Sequence, residues 1–154
     1  GAFKASMEKI TDKIPIDVLE KEVLNNGKPF LGICVGMQVL ADNGYEGGDC
    51  SGLGWISGEV KKINSSNLAL PHMGWNNVNQ QQDHPLWHRI QQGSRFYFVH
   101  SFYAPVTQDT VASCTYGNDF TAIVARDNFT GCQFHPERSG PVGARILRNF
   151  LELR

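Results

Sequence analysis

One short stretch of the chain has the residue types and spacing of a nucleophile, Gly32-Ile33-Cys34-Val35-Gly36. It has the G-x-nucleophile-x-G form of a sharp elbow between a strand and a helix. Glycines on either side let the turn close where larger side chains would collide. The turn lifts the thiol clear of the sheet and sets it at a helix N-terminus. There the helix dipole is expected to favour thiolate, the reactive form. The Val35 N–H is expected to face an oxyanion formed beside the sulfur. By itself the pattern is weak evidence, because 16 glycines in 154 residues can flank a structural cysteine by chance.

A thiol nucleophile needs an imidazole, and the imidazole needs a third group to orient it. Of the five histidines, His135 stands out because it opens His135-Pro136-Glu137 at the end of a predicted strand. Proline biases the residue before it to extended backbone. In extended chain, residues two apart point the same way, which would bring Glu137 to the His135 ring. The bland alternative is a strand-end histidine followed by a surface glutamate. His84 and His88 have i, i+4 spacing but no acid between them as in HExxH, and Pro85 suits a helix start better than a metal site. His72 and His100 sit in apolar company and read as hydrogen-bonded structural histidines.

The elements that must position these groups follow from periodicity and turn chemistry. Ile16, Leu19 and Val23 have helical spacing, with a stop at Asn26-Gly27. Residues 29–33 read as a buried strand and 37–41 as helix, which places Cys34 between them. From residue 54 to 134 the signals are mostly β. Candidate strands are 56–63, 96–103, 111–116, 120–125 and 129–135, with turns at Asn64-Ser65-Ser66-Asn67, Gly117-Asn118-Asp119 and Asp127-Asn128. Val142, Ile146, Leu147, Phe150 and Leu151 fall on one face of a C-terminal helix. Helices at both ends of a β-rich middle suggest a mixed α/β layered domain spanning residues 1–154.

Composition narrows the classes. Fourteen basic against 15 acidic residues leave a net charge of −1, which lacks the basic excess of a nucleic-acid footprint. With 41% hydrophobic residues the chain is too apolar for disorder. The most apolar run, residues 30–41, is too short to cross a membrane. No basic segment followed by an apolar run marks a signal peptide. Four cysteines without a CxxC pair suggest neither zinc nor a disulfide scaffold, so a reduced, cytoplasmic setting is expected.

Taken together, Gly32-Ile33-Cys34-Val35-Gly36-Met37-Gln38 and His135-Pro136-Glu137 resemble the two halves of the class I (triad) glutamine amidotransferase domain. Pro71-His72-Met73-Gly74-Trp75-Asn76 and Phe96-Tyr97-Phe98-Val99-His100-Ser101-Phe102-Tyr103 are similar to the glutaminase subunits of imidazole glycerol phosphate synthases. So are Gly52-Leu53-Gly54-Trp55-Ile56-Ser57-Gly58 and Gln133-Phe134-His135-Pro136-Glu137-Arg138-Ser139-Gly140. The likeness covers essentially the whole chain.

It implies a flavodoxin-like α/β fold with a mixed central sheet, and glutamine hydrolysis without cofactor or metal. Cys34 would be the nucleophile, His135 the acid–base group and Glu137 its orienting partner. Gln38, Glu46, Ser101 and Phe102 would contact glutamine. Ammonia would pass to a (β/α)8 cyclase subunit docked near Met73, Trp75, Asn76, Tyr97 and Arg138. The same likeness leaves room for another class I amidotransferase, a γ-glutamyl hydrolase or a non-catalytic interaction subunit. Arg138 stands where the family has Lys, and Phe102 where it has Tyr. The family has earlier strands, ending in a Pro-Gly-Val-Gly segment that forms the second side of the oxyanion hole. The sequence opens at what resembles the end of that segment, so Gly1 is the remaining counterpart of that donor. A chain lacking those strands is expected to expose an apolar sheet edge and to turn over slowly alone.

Overall fold

The computed structural model describes residues 2–153. In chain order the elements are α1 (Phe3–Lys13), α2 (Ile16–Glu20), β1 (Phe30–Ile33), α3 (Val35–Gln38), β2 (Asn43–Gly44), β3 (Cys50–Ser51), β4 (Glu59–Lys62), β5 (His72–Asn77) and β6 (Asn79–Gln80). Then follow β7 (Arg95–His100), β8 (Phe102–Tyr103), β9 (Thr110–Tyr116), β10 (Asn118–Arg126), β11 (Phe129–Cys132) and α4 (Gly140–Leu151). The main sheet has the order β1-β11-β10-β9-β6. β1 runs parallel to β11, and the remaining neighbours are antiparallel. The sheet is therefore mixed, as expected. β2, β3, β4 and β8 form a second small sheet, and β5 pairs antiparallel with β7.

Two apolar layers hold the main sheet, because neighbouring residues of a strand face opposite ways. Phe96, Phe98, Phe120, Ile123 and Phe134 pack on one side with Ile146 of α4. Phe3, Met7, Met37, Leu40, Trp55, Val124 and Phe129 pack on the other. Gly131 of β11 makes this second contact close. A Cβ there would stand 2.5 Å from Met37 Cγ.

Several expected elements take different bounds. α1 is not among the expected helices, although Phe3, Met7 and Ile10, which pack on the core, have the i, i+4, i+7 spacing of a helix face. α2 continues through a π turn at Lys21–Asn25 and stops at Gly27, where φ is +70°, as the Asn26-Gly27 signal indicated. The helix expected at residues 37–41 begins directly after the cysteine and spans Val35–Gln38. The strand expected at 96–103 breaks at Ser101 into β7 and β8. β11 ends at Cys132, three residues before His135. Pro85 does start a helix, a 3-10 turn at Pro85–Trp87, and His84 Nδ1 accepts the Leu86 N–H at its start.

Candidate active site

The parallel pairing of β1 and β11 matches Ile33 to Cys132, so the C-terminal ends of both strands lie side by side. Cys34 follows the first strand end and His135 lies just beyond the second. The Cys34 N–H extends the ladder by one rung to the Cys132 carbonyl, 2.7 Å. Cys34 itself sits at φ +54°, ψ −113°, a conformation L residues rarely adopt. Such strain costs about 1–3 kcal/mol and persists where surroundings enforce it. A Cβ at Gly32 would lie 2.3 Å from the Gly36 carbonyl oxygen, so the elbow closes only over glycine at that position, whereas a Cβ at Gly36 would meet nothing within 4 Å and the expected need for glycine on the second side is corrected.

The sulfur is half-buried, and burial pushes the Cys34 thiol up. The Val35 N–H hydrogen bond pulls the other way, while the Glu46 and Glu137 carboxylates add to the rise. The expectation of a thiolate favoured by the helix dipole is therefore corrected. α3 is a single turn, and desolvation outweighs its donor. A base must take the thiol proton.

His135 has extended backbone, φ −98° and ψ 97°, as the following proline requires. Glu137 reaches it by a different route from the one expected. Pro136–Arg138 is a 3-10 turn rather than extended chain, and it folds the carboxylate back so that Oε1 stands 2.7 Å from His135 Nδ1. That contact leaves Nε2 as the free ring nitrogen. The backbone of His135 is fixed on both sides. Its N–H donates to the Tyr97 carbonyl at 2.9 Å, and Ser139 Oγ donates to the His135 carbonyl at 2.7 Å.

An open cleft of about 360 Å³ lies over the sulfur, lined by Ala2, Cys34, Gln38, Glu46, Pro71, Val99, His100, Ser101 and Phe102. All four residues expected to contact glutamine line it. Two of them are also tied into the scaffold. Gln38 is buried and its Nε2 donates to the Phe102 carbonyl at 3.0 Å and to Gln133 Oε1 at 2.9 Å. Glu46 Oε2 accepts the Phe3 N–H at 3.3 Å, at the N-terminus of α1. Gly1, the expected second oxyanion donor, lies outside the described residues.

The residues expected at a partner face divide between two sides of the β5–β7 pair. Met73 and Trp75 are exposed, and Trp75 packs edge-on against Tyr97 with centroids 6.1 Å apart. The exposed Arg138 guanidinium lies 5.5 Å from the Tyr97 ring centre. These four form one patch. Asn76 alternates to the opposite side, where its Nδ2 donates to the Thr115 carbonyl at 3.1 Å and contacts His72 Nε2 at 3.2 Å. It is not brought into the patch.

Behind the cleft, His72 Nδ1 lies 2.9 Å from His100 Nε2, and His100 Nδ1 donates to the Phe102 carbonyl at 2.8 Å. Burial lowers both imidazoles to about 4, so both are neutral at neutral pH. The structural reading of these histidines holds. Gln133 had no role assigned from sequence. Its signal was a carboxamide in the apolar run of residues 129–134, since a buried polar side chain needs partners.

The glutamine amidotransferase class-I family profile matches residues 9–153. The imidazole glycerol phosphate synthase subunit HisH of Methanosarcina acetivorans is 47% identical over 156 aligned residues, covering 99% of this chain and 76% of that protein. The subunit HisH of Escherichia coli K12 is 44% identical over 153, with 99% and 76% covered. Among solved structures, a glutamine amidotransferase from Thermotoga maritima aligns with TM-score 0.57 at 22% identity, covering 89% of this chain and 50% of that one. A second solved glutamine amidotransferase aligns with TM-score 0.62 at 17% identity, with 89% and 66% covered. These two solved structures speak to the fold alone.

Proposed function

The chain belongs to the class-I glutamine amidotransferases, and within them to the HisH subunits of imidazole glycerol phosphate synthase; on that footing we propose how its own residues hydrolyse glutamine. Cys34 attacks the side-chain carboxamide carbon of glutamine as His135 Nε2 takes the thiol proton. The Val35 N–H stabilises the oxyanion of the tetrahedral intermediate. The imidazolium returns the proton to the departing nitrogen, and ammonia leaves a γ-glutamyl thioester on the sulfur. Water, deprotonated by the same imidazole, cleaves the thioester to glutamate and the free thiol. Glu137 holds the ring and stabilises its charged form. In the cleft, the Glu46 carboxylate suits the substrate α-ammonium, while Gln38, Ser101 and Phe102 frame its chain.

Ammonia released into water would be protonated and lose its nucleophilicity, so a partner must receive it directly. The proposed partner is the (β/α)8 cyclase subunit, which makes imidazole glycerol phosphate and an aminoimidazole carboxamide ribotide in histidine biosynthesis. The patch of Met73, Trp75, Tyr97 and Arg138 suits its docking, since aromatics and Arg dominate interface energetics. We place this free-thiol chemistry in the cytoplasm and assign it to residues 1–154 as one amidotransferase domain. No helix among the described residues is long and apolar enough to cross a membrane.

The observation that supports the mechanism is the β1–β11 register, which brings side by side the ends of the two strands that lead to the strained Cys34 elbow and to the His135–Glu137 pair. Its test is Cys34→Ala in the full-length protein with its cyclase. Glutamate release should fall to background. Wild-type turnover in that variant would remove Cys34 from the mechanism.

A further inference from the structure

Gln133 is fully buried directly behind the nucleophile, and its Nε2 lies 3.6 Å from Cys34 Sγ. The direction of this contact follows from chemistry alone. The Phe102 carbonyl can only accept, so the Gln38 atom facing it at 3.0 Å must be the amide nitrogen. The other hydrogen of that NH2 group points at Gln133, 2.9 Å away, so the atom receiving it must be Oε1. Gln133 therefore turns its own NH2 group to the sulfur. Its backbone N–H donates to the Ala122 carbonyl at 2.9 Å, which fixes the residue to β10. His100 Nδ1 donates to the same Phe102 carbonyl and fixes the far end of the chain.

We infer that Gln133 is a positioning residue for the nucleophile: its amide N–H, aimed by Gln38 and the Phe102 carbonyl, holds the Cys34 sulfur and favours the anion over the thiol. A thiolate accepts a hydrogen bond far better than a neutral thiol does, so the donor acts on the difference between the two states. Few other groups near the sulfur help. The Val35 N–H does, whereas the Glu46 and Glu137 carboxylates and burial oppose the anion. The Cys132 thiol behind Cys34 is itself kept protonated by burial. His135 takes the proton. Gln133 is thus the buried side-chain donor that offsets two nearby carboxylates.

This inference rests on Cys34 being the nucleophile, and the experiment separates the two claims. Alkylation of Cys34 by iodoacetamide is followed against pH by peptide mass spectrometry in the full-length protein, without glutamine. Gln133→Leu should move the alkylation midpoint to higher pH and slow the reaction about tenfold or more below it, since a hydrogen bond to a charged group is lost. In the holoenzyme, kcat for glutamate release should fall by a similar factor with KM little changed. Gln38→Met leaves Gln133 in place but unaimed, and should shift the alkylation profile in the same direction by less. It is read the same way should Gln133→Leu fail to fold. Profiles for both variants superposed on wild type would overturn the inference, even with Cys34→Ala inactive. An active Cys34→Ala enzyme would instead overturn the mechanism.

Discussion

Lowering the pH should unfold this protein through His72 and His100 before most of its carboxylates titrate. Both rings are buried, and burial lowers each to about 4 from the ordinary 6.5. The unfolded chain therefore binds protons that the folded chain refuses. The contribution to stability is complete above pH 6.5 and is lost as pH falls toward 4. For one such histidine the difference between the two protonation curves at pH 5 is about 2 kcal/mol, rising to about 3 kcal/mol below pH 4.

The geometry explains why neither ring can accept a proton cheaply. A protonated His100 must donate from Nε2 as well as Nδ1. His72 Nδ1 must then accept, which turns the His72 N–H toward Asn76 Nδ2, itself a donor to the Thr115 carbonyl. Against a typical stability of about 5–15 kcal/mol, this is a large fraction. Urea unfolding at several pH values from 7 to 4.5 measures the slope. His72→Phe keeps a ring in the stack with Tyr116 and Phe98 and removes one of the two titrating groups. Its slope should be visibly shallower. Equal slopes in wild type and variant, or both imidazoles titrating near 6.5 by NMR in the folded protein, would remove these histidines as the source of acid sensitivity.

Two further outcomes follow from the same geometry. Gly32→Ala drives a Cβ to 2.3 Å from the Gly36 carbonyl oxygen, a backbone atom that cannot swing away. It should lower stability by about 1–3 kcal/mol and reduce glutamate release in the fraction that remains folded, measured by thermal denaturation and turnover. Trp75→Ala removes an exposed aromatic from the proposed docking patch. Cyclase affinity by calorimetry should fall about tenfold or more, while the melting temperature of the free subunit barely moves.

The candidate nucleophile and base were legible because their signals are local. The elbow needs glycine at position 32, though not at position 36, and proline sets the backbone beside His135. Strands with dense β-branched or aromatic residues, such as Val111 to Tyr116, were legible for the same reason. What sequence could not supply was contact across long separations. Glu137 approaches His135 through a 3-10 turn, and Asn76 faces away from Trp75 because β5 alternates. Burial also reversed an electrostatic expectation at Cys34, because desolvation depends on what the fold stacks over the sulfur. The chain from Phe102 through Gln38 and Gln133 joins residues 64 and 95 positions apart, which no local pattern encodes.

Glutamine hydrolysis is proposed to pass through an acyl group on Cys34. Rapid acid quenching of the holoenzyme during turnover, followed by peptide mass spectrometry, reads this directly. A γ-glutamyl adduct is expected on the peptide carrying Cys34 and none on those carrying Cys50, Cys114 or Cys132. Sustained glutamate release with the adduct on a different cysteine would contradict it.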